Sequence, residues 1–299
     1  MTPHQPQARR SLPDGIRLPD EITQLTLIAE RPGSRVWKVA MAGGDVVAVK
    51  YTTGEAGQSR SFAHREAAVL THVDPDRLFA FSHTAHGTWL AVEWDSSPSL
   101  AHRWQHADTH RSAALHAAAQ AATTLAALHE AGWRHADLQP GHILVPEHGP
   151  ARIIDWAIGQ GPADDLPAIA YRGGYAHLTA PEIAAQLLDT PASHHVTLTT
   201  AAEVYTFGAT VFASWAKLWP RDYKANPASL NAPEIYTAIT DPASLRPMPE
   251  GWPSVATLLT ATLDPNPANR PTMSETRDEL IALADHQRPS PSSRHPRVW

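Results

Sequence analysis

The chain has 299 residues, enough for one large domain or two lobes, and 42% of them are hydrophobic, enough for a sizeable core. Its formal net charge of −6 offers no basic field for nucleic acid or an anionic membrane surface. The absence of cysteine excludes a disulfide framework and thiolate metal sites.

The first fifteen residues are polar and proline-rich and lack the apolar core of a signal peptide, so the expected location is cytoplasmic. The most apolar run, residues 204–219, is interrupted by Thr206, Ser214 and Lys217 and is followed by Pro220, too short and too polar for a membrane span. Eighteen histidines suggest metal binding by number alone, but they are scattered, and His194 and His195 fall in a Ser/Thr/Pro stretch that reads as a surface loop.

Residues 1–18 and 288–299 are rich in Pro, Ser and Arg without apolar periodicity and read as disordered tails. Between them the pattern predicts a small strand-rich lobe over 19–94 and a helical lobe over 95–287. Runs rich in β-branched residues at 25–28, 36–40 and 46–51 predict strands, with Gly43 and Gly44 supplying a hairpin turn. The third run, DVVAVKY, puts Lys50 in an apolar strand, where an unpaired ammonium would be costly to desolvate. A partner lies sixteen residues on, since SFAHREAAVLTH is helical in pattern and can turn Glu66 toward the sheet. An ordinary strand lysine and an ordinary helix glutamate are the bland alternative. Two more strands are predicted at 78–82 and 88–93, and an alanine-rich helix over 109–129.

That helix leads into WRHADLQPGHILV, residues 133–145, followed by IIDW ending at Trp156. Asp137 lies in a loop, and Asp155 follows the apolar pairs Ile143–Leu144 and Ile153–Ile154. Two short buried strands flanking a turn at His148, Gly149 and Pro150 would set both carboxylates at the mouth of one cleft. One carboxylate can take a hydroxyl proton while the other holds a metal on a phosphate, the division of labour that phosphoryl transfer requires.

These residues resemble the catalytic loop and metal-binding motif of the protein-kinase superfamily. HADLQPGH stands for the usual HRDLKPxN, DWA stands for DFG, and the two aspartates are eighteen residues apart, as is usual in the family. The resemblance extends from Val36 to Thr272, through GYAHLTAPE at 174–182, TTAAEVYTFG at 199–208 and LDPNPANRPT at 263–272. It implies an α+β, bilobal protein-kinase-like fold with a small antiparallel sheet lobe and a larger helical lobe. By the same resemblance, Lys50 pairs with Glu66 to position nucleotide phosphates, Asp137 is the base, and Asp155 and His142 hold Mg²⁺ or Mn²⁺. Gln139 replaces the lysine that would touch the transferring phosphate. Val36, Ala48, Val92, Glu93, Trp94 and Leu144 would surround ATP, with Glu93 and Trp94 presenting main-chain groups to the adenine. His135, Glu182, Glu203 and Arg270 would be structural, the last pairing with Glu182.

The departures bear on activity. Ala29, Arg31 and Ser34 occupy the three glycine positions of the phosphate loop, leaving only Gly33, off-register, beside Pro32. Such a loop is stiffer and covers phosphate less closely. Arg31 or Arg35 could compensate by contacting phosphate, although a solvated arginine is the plainer reading. An imidazole at His142 is a poor Mg²⁺ ligand that Mn²⁺ tolerates better. Residues 156–178 contain no Ser or Thr, and Ala136 stands where an arginine often clamps a phosphorylated activation segment, so activation by Ser/Thr phosphorylation there is excluded.

The implied function is ATP-dependent transfer to a Ser/Thr hydroxyl of a protein or peptide, a natural-product precursor peptide among the candidates. A pseudokinase scaffold is the alternative, and a small-molecule kinase is a weaker one because of APE at 180–182. No nucleic-acid or membrane partner is expected, and the residues do not indicate an oligomeric state.

Overall fold

The computed structural model describes residues 11–53 and 57–287, with the backbone alone for 57–61. Five antiparallel strands form the first lobe: β1 (Ile22–Arg31), β2 (Ser34–Met41), β3 (Val46–Thr53), β4 (Leu78–His83) and β5 (Gly87–Glu93), in the order β1-β2-β3-β5-β4. Helix α1 (Gly57–Val73) follows β3 and packs on β3, β5 and β4.

The period of two along each strand divides the lobe into two faces. Trp37, Val39, Val47, Val49, Trp89 and Ala91 form one buried face, while Val36, Ala48, Lys50, Leu90 and Val92 point the other way, toward the second lobe. The first face is covered from the N-terminal side. Ile16 is 6% exposed, and Leu12 and Leu18 pack against the same cluster. The expected disordered tail therefore needs correction for 11–18: an apolar sheet face this large must be covered, and three apolar residues spaced through a polar stretch suffice. Residues 1–10 and the tail expected at 288–299 lie outside the described residues.

The helical lobe comprises α2 (Leu100–Arg103), α3 (Arg111–Glu130), α4 (Pro181–Asp189), α5 (Thr200–Ala216), α6 (Ala232–Thr240), α7 (Pro253–Thr262) and α8 (Met273–His286), with a two-stranded hairpin of β6 (Ile143–Leu144) and β7 (Arg152–Ile153). The bilobal kinase-like architecture is therefore the one expected. Helix α3 packs along α8 and carries a run of fully buried alanines, so close helix contact replaces bulky side chains. Helix α5 is the lobe's buried axis, capped by Thr199, whose hydroxyl accepts the Ala202 N–H at 3.0 Å. At Gly208 a Cβ would meet Thr262 Oγ1 at 2.2 Å, so only glycine lets α5 and α7 approach this closely. Among the described residues no helix is long and apolar enough to cross a membrane.

Candidate active site

Between the lobes lies a cavity of about 600 Å³. Its roof is the cleft face of the sheet, with Val36, Ala48 and Lys50. Val92, Glu93 and Trp94 line it at the chain crossing between lobes, and Asp137, Gln139, His142, Leu144 and Asp155 form the floor. The structure thus brings together every residue that the sequence grouped around nucleotide and metal. His135, Glu182, Glu203 and Arg270 lie outside the cavity.

Lys50 Nζ lies 2.6 Å from Glu66 Oε2 and also donates to Asp155 Oδ1, which joins α1, the sheet and the floor through one ammonium. Burial alone would lower the Lys50 pKa, but Glu66 and Asp155 outweigh it and raise it well above the usual lysine range. Burial likewise works to raise Asp155, yet the Lys50 ammonium holds it well below the usual carboxylate range. Asp137 is different. Burial, with the nearby Asp155 charge, pushes it up to about 7, against the opposing pull of the Tyr175 N–H, Lys50 and Gln139. Two carboxylates in one cleft therefore have separated proton affinities, as an acid–base pair with distinct tasks needs.

The loop that carries Asp137 is fastened from below. Ala136 adopts a left-handed φ of 69°, unusual for a residue with a Cβ, and its N–H donates to Glu203 Oε1 at 2.8 Å. Its carbonyl accepts the Tyr171 hydroxyl at 3.2 Å. Glu203 is wholly buried and takes a second bond from His129 Nε2 at 2.8 Å. His135 is also wholly buried; its Nε2 donates to the Ile154 carbonyl at 2.9 Å, and its Nδ1 accepts the Asp137 N–H at 3.3 Å. Burial lowers its pKa to about 4, so the ring is neutral. Trp156 packs edge-on against that ring and donates to the Ile153 carbonyl, in the core beneath Asp155.

His142 lies between the two aspartates. Its Nδ1 is 3.0 Å from the Asp137 carbonyl, which can only accept, so Nδ1 carries the hydrogen. Burial lowers its pKa, leaving a neutral ring whose Nε2 lone pair faces Asp155 Oδ2 at 3.5 Å. A histidine oriented by donating its other N–H to a carbonyl is the usual form of a metal-ligating imidazole. Among the described residues no group of three or more His, Asp or Glu side chains is placed to hold a metal ion. Asp155 Oδ2 and His142 Nε2, 3.5 Å apart, suit a divalent ion that tolerates an imidazole, as Mn²⁺ does better than Mg²⁺, with its other ligands from phosphate and water.

One expectation changes. Trp94 does not present its N–H to the cleft, because that group donates to the Val46 carbonyl at 2.9 Å and extends the β3–β5 pairing. The Glu93 carbonyl accepts from Arg77 Nη2 at 3.4 Å, which leaves it a second lone pair. Arg77 is a residue that sequence reasoning missed. It is 4% exposed, lines the cavity and lies 3.9 Å from Asp74. A buried arginine has no local signature when its partners come from tertiary structure.

Arg65 was also missed. It is buried beside Glu66, donating from Nε to the Gly159 carbonyl at 2.9 Å and from Nη1 to the Pro167 carbonyl at 2.5 Å. The segment after Asp155 is thus fastened to α1 without a phosphate group; its lack of Ser and Thr was the one available hint that another fastening was needed. Further along, the Tyr175 N–H bonds to Asp137, while the Tyr175 ring turns outward against His177 and Trp219. Arg270 grips Glu182 with two bonds of 2.7 and 2.8 Å.

A five-stranded lobe over a helical lobe, with a lysine, a glutamate and two aspartates converging on the cleft, defines a bilobal kinase-type scaffold. Residues 32–280 match the family described as protein kinase domain, and the chain belongs to that family. It is also similar to the serine/threonine-protein kinase PknK of Mycobacterium tuberculosis (strain ATCC 25618 / H37Rv), 32% identical over 93 residues, which are 31% of this chain and 8% of that protein. The PknK of Mycobacterium bovis is 33% identical over 91 residues, 30% of this chain and 7% of the relative. The match thus spans under a tenth of those relatives' length.

Proposed function

We propose that this chain is an ATP-dependent phosphotransferase whose acceptor is a Ser or Thr hydroxyl of a protein or peptide, working in the cytoplasm. The observation that carries this reading is the convergence on one interlobe cavity of Lys50, bonded to both Glu66 and Asp155, with Asp137 on the floor. Asp137 takes the hydroxyl proton as the acceptor oxygen bonds to the γ-phosphorus and the bond from that phosphorus to the departing ADP oxygen breaks. Lys50, anchored by Glu66, orients the α- and β-phosphates. Asp155 and His142 would hold the divalent ion, which would neutralise phosphate charge when bound. Gln139 keeps Asp137 oriented by a hydrogen bond.

A second reading, nucleotide binding without turnover, is favoured by the neutral Gln139 and by the tight Pro32–Gly33 turn that replaces a glycine loop. Thermal shift with ATP in Mg²⁺ and then Mn²⁺, followed by phosphate transfer to a generic Ser/Thr protein substrate, separates the two. Stabilisation with transfer supports the first, and stabilisation without transfer in either metal supports the second. Transfer to small alcohols but to no peptide would overturn the protein-acceptor assignment.

A further inference from the structure

The cleft is short of available positive charge where a terminal phosphate would lie. Lys50 is engaged by both Glu66 and Asp155, and Arg77 faces Asp74 and the Glu93 carbonyl. The floor supplies neutral Gln139 and two aspartates. Phosphoryl transfer depends on cations around the oxygens of the transferring group.

The sheet side offers one. Arg31 closes the β1–β2 hairpin opposite Ser34 and lines the cavity together with Asp137 and His142, and its side chain makes no hydrogen bond or ion pair among the described residues. Its backbone is held firmly. Pro32 and Gly33 form the two-residue turn, Gly33 at a φ of 76° that suits glycine, and the Thr53 N–H donates to the Gly33 carbonyl at 2.9 Å, tying the turn to β3. The other arginine of the hairpin is not available, because Arg35 Nε lies 2.6 Å from Glu30 Oε1. Arg31 shares the wall of this cavity with Lys50, Asp137, Gln139 and His142.

We propose that Arg31 is a phosphate-binding residue: its guanidinium receives the terminal phosphate of a bound nucleoside triphosphate, filling from the sheet side the cationic position that Gln139 leaves empty on the loop side. This rests on the reading of the cleft as a nucleotide site. A guanidinium presents a fork of donors suited to phosphate oxygens, and the two-residue turn fixes the backbone beside it at the cavity rim. The stiff hairpin is then a different solution from a glycine loop, with a side-chain cation where main-chain amides would serve.

The test is titration calorimetry of the full chain with Mg²⁺–ATP and with Mg²⁺–ADP. Arg31→Ala is expected to weaken ATP by about tenfold or more while changing ADP by less than about twofold. Arg31→Lys should fall between, Arg35→Ala should match the wild type, and adding Gln139→Lys to Arg31→Ala should restore part of the ATP preference. Equal weakening of ATP and ADP, or no change in either, overturns the assignment to the terminal phosphate. If the wild type binds neither nucleotide, the nucleotide-site reading fails first and the Arg31 proposal with it; if it binds both and only the Arg31 variants behave otherwise than expected, the nucleotide site stands and the proposal alone falls.

Discussion

Glu203, wholly buried at the start of α5, accepts the backbone N–H of Ala136 at 2.8 Å and thereby fixes the residue immediately before Asp137. Ala136 is left-handed, so the bond holds a conformation that the chain would otherwise leave. Replacing Glu203 by alanine strands the Ala136 N–H and the His129 ring, at about 1–3 kcal/mol for each unpaired group. Glu203→Ala is expected to lower the melting temperature by several degrees and to reduce transfer. Glu203→Gln, which keeps one acceptor, should do less of both. Equal melting temperatures for Glu203→Ala and the wild type would contradict this.

Asp137 must be ionised to accept a proton, and its pKa stands at about 7. The rate should therefore rise with pH through about 7 and level off above it, with the loss on the acid side. Gln139→Ala, which removes a hydrogen bond to the ionised form, should move that limb to higher pH. A pH profile of kcat/KM that is flat from about pH 6 to about pH 8 would exclude Asp137 as the titrating base.

His135 gives a stability effect of opposite chemistry but the same direction. Its folded pKa of about 4 lies below the unfolded value of 6.5, so the unfolded chain takes up the proton first as pH falls. Stability from the neutral ring is complete above about 6.5 and is lost as pH falls toward about 4, on the order of 3 kcal/mol in total. Melting temperature measured across that range should fall more steeply for the wild type than for His135→Gln.

Arg65 holds the segment after Asp155 by the Gly159 and Pro167 carbonyls. Arg65→Met is expected to speed amide hydrogen exchange across residues 159–168 and to lower kcat/KM by about tenfold. Phosphatase treatment of the wild type should change neither. A large activity loss on dephosphorylation would show that a phosphate, and not this arginine, orders the segment.

At Gly174 an added Cβ would lie 2.4 Å from the Ala136 carbonyl and 2.6 Å from Asp137 Oδ1. Gly174→Ala should displace Asp137 and abolish transfer while leaving ATP affinity within about twofold. Retained transfer would mean that the 174–175 backbone does not position the base.

The sheet lobe was legible because its strands alternate: the period that buries Val47 and Val49 necessarily turns Ala48 and Lys50 to the other face. Asp137 and Asp155 were legible from a local motif whose spacing a short hairpin enforces. The Glu182–Arg270 pair was anticipated because each partner lies in a recognisable stretch. What escaped depends on contacts that no local pattern records. Arg65, next to Glu66 on α1, has no local mark of burial, and its partners are the Gly159 and Pro167 carbonyls. Trp94 reads as free hinge backbone until β3 is seen to extend pairing to Val46. Residues 11–18 read as tail because three apolar residues in a polar stretch have no period, and their partner is the whole sheet face.

Asp137 as the base, in a cleft where Lys50 and Asp155 hold the nucleotide, stands or falls on single-turnover transfer of labelled γ-phosphate to a Ser/Thr protein substrate, comparing wild type with Asp137→Asn at equal nucleotide occupancy. Asp137→Asn is expected to bind ATP as the wild type does and to transfer about a hundredfold or more slowly. Equal rates for the two proteins, or no transfer from the wild type with either Mg²⁺ or Mn²⁺, would contradict it.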